Sequence, residues 1–245
     1  MQFRAVTYNI HKCVGGLDRR YDPARTAEVI AHYGADVVLL QEVAQGAPKL
    51  KNERQVERLG DLLGMRHRAY FTNVKKLGKG GEYGNAILSR FPLTSVENVD
   101  VTIPPKKRRC ILHARLRIKT GPGKSRSLHV FNLHLGLSGI ERKLQLQKFL
   151  ASHPFVGLHA RTPILIAGDF NDVWGNLGKS LVPHGFHSIG KPHRSFPAVR
   201  PLRALDSLYV RGDLVIRSLQ PSRLKLARAA SDHLPLVADL GITSG

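Results

Sequence analysis

The sequence predicts an α/β protein built from two packed mixed β-sheets with helices on the outside, and three observations point there. Apolar runs of strand length outnumber helical stretches. Most successive runs lack the intervening helix that a parallel crossover needs, which disfavours a doubly wound nucleotide-binding sheet. No Gly-rich phosphate loop is present either, since Gly78-x-Gly80-Gly81 lacks the Lys-Ser/Thr pair and a following helix.

In chain order, Arg4 to Asn9 reads as a strand. Asp22-Pro23 starts a helix, with Asp at the cap and Pro at the first helical position, and Gly34 ends it. Asp36-Val37-Val38-Leu39-Leu40 is a strand buried on both faces. An amphipathic helix lies within Asn52 to Leu63. Strands are expected at Asn85–Ser89, Arg109–Ile118 and Ser127–Leu133. Ser138-x-x-Glu141 is a capping box that opens a helix through about Leu150. A strand at Pro163–Ala167, a loop-rich stretch, a pair at Leu205–Val210 and Leu214–Leu219, and a last strand at Leu234–Leu240 complete the chain.

With 245 residues, 42% of them hydrophobic, and no repeat or linker to divide them, one domain over residues 1–245 is expected. No apolar run approaches the length of a membrane span, and the N-terminus enters a strand at once, without a signal segment. Cys13 and Cys110 form no disulfide framework. A soluble, cytoplasmic monomer is the expectation.

Charge narrows the function. Lys and Arg number 38 against 18 Asp and Glu, a net +20 that favours a polyanionic partner. After Asp100 only seven acids remain, and Asp169, Asp206 and Asp232 among them sit beside apolar runs. Six segments share one pattern, an apolar stretch meeting hydrogen-bonding or metal-binding groups. They are Thr7-Tyr8-Asn9-Ile10-His11, Leu40-Gln41-Glu42-Val43, Asn132-Leu133-His134-Leu135, Gly168-Asp169-Phe170-Asn171, Leu205-Asp206-Ser207 and Ser231-Asp232-His233. Taken singly, each reads best as a surface turn or a cap. Six together, in a chain short of acids, read as a site, because charges at core strand ends are costly unless partnered.

The residue types suggest the chemistry. Asn9, Glu42 and Asp232 offer hard oxygens for Mg²⁺ or Mn²⁺, which share substrate phosphates. His134 and His233 suit proton transfer or stabilisation of a phosphorane-like state, and Asp169 beside Asn171 can polarise a water. Without Cys ligands or a HExxH helix, zinc is disfavoured. No Gly-x-Ser-x-Gly elbow serves a serine hydrolase.

These segments, with Gly84-Asn85-Ala86-Ile87-Leu88-Ser89 between them, occur in the order seen in the endonuclease/exonuclease/phosphatase superfamily, which the chain resembles over nearly its whole length. The resemblance implies a four-layer α/β/β/α sandwich with the site at one end of the sheets. It implies that Asn9 and Glu42 bind the metal with Asp232 nearby, and that Asp169 orients or deprotonates the attacking water. Asn171 is then a phosphate contact, His233 the catalytic histidine with Asp206 as partner, and His134 the second histidine paired with Glu82. Tyr83, Asn85, Arg109 and Arg203 are substrate-contact candidates, although Arg109 reads equally well as a surface residue of the Lys106-Lys107-Arg108-Arg109 run. Trp174 and Phe196 flank the motif loops, placed either to stack on a base or to close a core edge, and His11 is equally a loop residue or a neighbour of the site.

Three functions follow. A nuclease on DNA or RNA leads narrowly, with Lys75-Lys76-Lys79 and Lys106 to Arg109 on backbone phosphates. A phosphoesterase for phospholipid or inositol-phosphate head groups is second; no apolar hairpin run stands out to enter a bilayer, which counts against it. A nucleic-acid-binding scaffold without catalysis is third and poor, since every motif residue is present.

Overall fold

The computed structural model describes residues 1–75 and 80–243. The chain order is β1 (Gln2–Asn9), α1 (Pro23–His32), β2 (Val37–Gln45), α2 (Gln55–Leu62), β3 (His67–Lys75), β4 (Glu82–Ser89), β5 (Leu93–Asp100), β6 (Cys110–Gly121) and β7 (Lys124–His134). Then follow α3 (Gly139–Leu150), β8 (Ile164–Asp169), α4 (Gly178–Leu181), β9 (Asp206–Arg211), β10 (Leu214–Pro221), α5 (Lys225–Ala230) and β11 (Leu236–Ile242). The first sheet has the order β10-β11-β1-β2-β4-β3 and the second β5-β6-β7-β8-β9. Two neighbouring pairs are parallel, β1 with β2 and β7 with β8. Each has a helix in its connection, α1 for the first and α3 for the second, as a parallel crossover requires.

Alternation along the strands builds three apolar layers. Phe3, Ala5, Val37, Leu39 and Ile87 of the first sheet meet Leu112, Leu116, Val130, Leu165 and Leu208 of the second, between the sheets. Val6, Tyr8, Val38, Leu40 and Leu88 point the other way, under Val29 and Ile30 of α1, Leu59 of α2 and Ala227 of α5. Phe131, Leu133, Ile164 and Ile166 pack under Leu146 and Phe149 of α3. The result is the four-layer α/β/β/α sandwich. Val37 to Leu40 are fully buried, as a run apolar on both faces requires.

Three local features depart from the sequence reading. β3 and β5 have no counterpart in it; both are edge strands of partly exposed residues, so neither needs the doubly apolar pattern that marks a central strand. The short α4 and α5 were equally illegible. At α3 the helix starts where the Ser138 motif places it, yet the Ser138 side chain makes no capping bond. Glu141 is buried instead, accepting from Gln145 Nε2 at 3.1 Å while Gln145 Oε1 accepts from the Gly136 amide at 2.8 Å. A side chain at position 136 would collide with Glu141, so the glycine is what lets the carboxylate fold inward.

Candidate active site

Strand direction gathers the motif residues. β1, β2, β7 and β8 run toward one end of the sandwich, while β4, β6, β9 and β11 start from it. Asn9, His134 and Asp169 are last residues of their strands, Asp206 is the first of its own and pairs across the ladder with Asp169, and Asp232 and His233 precede β11. The two sheets touch there: Asn9 Nδ2 donates to Asp169 Oδ2 at 3.0 Å.

Below the site, buried amides join the sheets. Asn132 Nδ2 donates to Leu40 O and Ala86 O, both at 2.8 Å, and its Oδ1 accepts from Gln41 Nε2 at 2.7 Å. Asn85 Nδ2 donates to Cys110 O and Asn132 O, each at 3.2 Å, and Asn85 Oδ1 accepts from Asn73. Asn85 is therefore committed to holding the sheets together, and the expectation that it contacts substrate is corrected. Buried amides stay because each lost partner would leave a desolvated group unpaired.

At the floor stand Asp206, His233 and Asp169. His233 Nδ1 lies 2.8 Å from Asp206 Oδ2, which also accepts from Ser195 Oγ at 2.6 Å. His233 Nε2 lies 3.9 Å from Asp169 Oδ2, and His134 Nε2 approaches the same oxygen at 3.6 Å. Burial alone would strip the His233 proton, but Asp206 and then Asp169 overcome it and lift the imidazole to about 10. Burial pushes the Asp169 carboxyl up to about 6, against the pull of His233 and with the Asp206 charge adding to the rise. For His134, burial and the neighbouring Arg109 hold the ring well below its ordinary value, so it is neutral at pH 7. The three residues thus offer a carboxylate near its working range, a cationic imidazole and a neutral one.

Arg109 belongs to the site and not to the exposed basic run. It is only 6% exposed, and its Nε and one terminal nitrogen are buried without a partner. A buried guanidinium left open in this way is placed to receive an anion.

Glu42 sits at a bulge of β2 with φ +55°. Burial would raise its carboxyl, yet the Lys12 ammonium paired with it holds it at about 2. Lys12 also lies 5.1 Å over the Tyr83 ring, which places Tyr83 at this edge of the site. His11, Lys12 and Cys13 carry positive φ in succession, and with Glu42 and Asn171 they make five of the eight such non-glycine residues among those described. Strain of this kind concentrates where side-chain placement matters.

Other expectations are corrected by placement. Glu82 does not pair with His134; its Oε1 accepts from Thr72 Oγ1 at 2.6 Å and Gln45 Nε2 at 2.9 Å, on the far side of β4 from the histidines. Arg203 is exposed, and only its backbone is held, against Ser195 and Phe196. Asn171 Nδ2 gives a hydrogen to Leu135 O at 2.9 Å, which ties two loops together, while its backbone amide fixes Asp169 Oδ1 at 2.9 Å. Asp232 is half-buried at the mouth, its Oδ1 3.9 Å from His11 Nδ1. Phe196 packs on the His233 ring with centroids 4.9 Å apart. Of the basic segment Lys75-Lys76-Lys79, the last two lie outside the described residues. Lys12 and Ser195 were missed as site residues, since neither a left-handed backbone run nor a serine in a loop without periodicity leaves a pattern.

A model of the Endonuclease/Exonuclease/phosphatase family matches residues 6–233. The chain belongs to that family. YbhP of Escherichia coli (strain K12), an uncharacterized protein, is 32% identical over 97% of this chain and 96% of its own. A crystal structure of an endonuclease/exonuclease/phosphatase from Beutenbergia cavernae DSM 12333 matches 99% of this chain and 72% of its own, with TM-score 0.83 and 25% identity. The mannosyl-6-phosphatase Bt3783 of Bacteroides thetaiotaomicron VPI-5482 shares the fold, with TM-score 0.72, 16% identity, and 98% and 99% of the two chains covered. As a member of the family, this chain is a phosphoesterase.

The family implies a metal, and two groups of donors bear on its place. Asp169, Asp206 and His233 have ligating atoms within 4.8 Å of one another, and Asp206 Oδ1 is buried without a partner. That cluster already carries a proton, and a cationic His233 repels a metal. Glu42 fits a divalent ion better: it is an ionised, largely buried oxygen donor beside the Asn9 amide at the neighbouring strand end, and its present cation, the flexible Lys12 ammonium, can swing away where the packed His233 ring cannot.

Proposed function

We propose that the protein is a Mg²⁺- or Mn²⁺-dependent phosphodiesterase that hydrolyses its substrate by direct in-line attack of water. The observation that carries this reading is the open guanidinium of Arg109 buried beside His134, whose ring, like that of His233, approaches Asp169 Oδ2. Asp169 takes the proton of the attacking water as the new P–O bond forms and the bond to the leaving oxygen breaks. Arg109, cationic His233 and neutral His134 donate to the phosphate oxygens, whose negative charge grows in the transition state. Asp206, bonded to Nδ1, orients His233 and keeps it charged, and Ser195 holds Asp206. Glu42 and Asn9 would hold the metal, with Asp232 at the mouth; when bound, the ion neutralises phosphate charge.

Nucleic acid is the substrate class that the net charge of +20 favours, with the exposed Lys106, Lys107 and Arg108 beside the site. The same charge suits a phosphodiester displayed on an anionic lipid layer, and the rim described below favours that second reading. The chemistry is tested without choosing between them. Purified protein should hydrolyse bis(4-nitrophenyl) phosphate with Mg²⁺ or Mn²⁺ and stop on chelation. Activity indifferent to chelator would refute the metal dependence. Metal-dependent cutting of DNA or RNA, run in parallel, is the result a nuclease requires.

A further inference from the structure

The four most exposed large apolar side chains among the described residues are Trp174 (81%), Leu137 (77%), Ile140 (76%) and Leu17 (70%). Scattered singly they would need no explanation. They are not scattered. Leu137 lies on the loop after His134, and Ile140 in the first turn of α3 just beyond it; in that loop the Leu135 amide donates to Asp169 O and the Leu135 carbonyl accepts from Asn171. Trp174 stands three residues beyond Asn171. Leu17 follows Gly16, where an added Cβ would lie 2.9 Å from Asp232 Cα. A fourth loop brings Leu202, 57% exposed, onto the turn that seats Phe196 on His233. Four separate loops, each anchored to a site residue, therefore set an apolar rim around the active site. No contiguous apolar run announces it in the sequence.

The composition of the rim selects its partner. Four of the five side chains are aliphatic, and aliphatic groups gain little from stacking on bases, whereas single-strand platforms are aromatic. Against the sugar-phosphate backbone they would strip water from phosphates without replacing its hydrogen bonds. A lipid layer suits them: aliphatic chains enter the acyl boundary and an indole settles at headgroup level. Exposed cations stand beside them, Arg19 and Arg20 after Leu17, Lys143 after Ile140, and Arg200 and Arg203 around Leu202. Each suits an anionic headgroup. Of the acids nearby, Asp18 is paired with Arg25, Glu141 and Asp172 are buried, and Asp232 is half-buried at the mouth of the site, leaving the exposed cations in excess.

We propose that the face carrying the active site docks on an anionic lipid layer, with Leu17, Leu137, Ile140, Trp174 and Leu202 entering its boundary, so that a phosphodiester at headgroup depth reaches Asp169 and His233 without leaving the layer. Arg203, which the site does not recruit, faces the headgroups. No helix among those described is long and apolar enough to cross a membrane. The identity of the reaction rests on the phosphodiesterase reading; the docking does not.

Trp174 is the one tryptophan of the chain, so its fluorescence reports on the rim alone. With vesicles of phosphatidylglycerol mixed into phosphatidylcholine, the emission should shift to shorter wavelength and the protein should sediment with the vesicles. The Leu137→Ser/Ile140→Ser variant should partition at least about tenfold more weakly, with hydrolysis of bis(4-nitrophenyl) phosphate unchanged. An unmoved emission, or a double variant that binds as tightly as the parent, overturns the proposal. A shift with single-stranded DNA and none with vesicles also overturns it and gives the rim to nucleic acid. If the parent binds vesicles but does not hydrolyse the soluble diester, the phosphodiesterase reading fails and the docking stands.

Discussion

Asp169→Asn should lower turnover on a phosphodiester by about a thousandfold or more while leaving the protein folded. A general base contributes on the order of 10² to 10⁴ in rate, and an amide cannot take the proton. Turnover should fall with little change in KM, because Asp169 acts on water and does not grip the substrate. The fold should tolerate the change. Asp169 is 1% exposed with a carboxyl raised by burial, so a neutral isostere removes a desolvated charge. Its two oxygens accept separately, Oδ2 from Asn9 Nδ2 and Oδ1 from the Asn171 amide, so the new side chain keeps one of these contacts and loses the other, a cost set against the relief of the buried charge. Steady-state kinetics beside urea unfolding check both halves. Near-parental turnover in a folded variant would remove Asp169 from the mechanism.

The second large effect belongs to His233. His233→Ala should cost about a thousandfold in turnover, since it deletes one of the two buried cations that face the developing charge. It should also cost about 2–3 kcal/mol of stability, because it leaves Asp206 with Ser195 alone and opens space beside Phe196. Asp206→Asn keeps the shape and should cost less, about ten- to a hundredfold, through a misoriented and less basic imidazole. If Asp206 acts only through His233, the double variant should be no slower than His233→Ala. Full additivity would give Asp206 a role of its own, for which its unpartnered Oδ1 leaves room.

Much of the site was legible because strand ends are local and chemical. Asn9, Glu42, His134, Asp169, Asp206 and His233 each follow or open an apolar run, and parallel and antiparallel pairing then carries those ends to one place. What sequence misjudged was side-chain direction. Glu82 and Asn85 lie in the right segment, yet one turns to Thr72 and Gln45 and the other spends its amide on the backbone between the sheets. Arg109 and Arg203 could not be told apart by residue type, although one is buried and open and the other stands in solvent. The capping box failed for a related reason, since Glu141 finds Gln145 a better partner once both are buried. Lys12 was hidden because three consecutive left-handed residues follow no propensity. The proposed apolar rim was hidden because its members come from four separate segments between Leu17 and Leu202, each next to a different site residue, so no window of sequence holds them together.

The proposed mechanism needs two separate centres, a metal at Glu42 and proton chemistry at Asp169, His233 and Asp206. Crystals grown with Mn²⁺ and measured for anomalous scattering test that division directly. The predicted result is a peak bonded to the Glu42 carboxylate, with the Lys12 ammonium displaced from it and the His233–Asp206 hydrogen bond intact. A peak bonded instead to Asp169, Asp206 and His233 would make His233 a ligand and contradict its role as the charged donor.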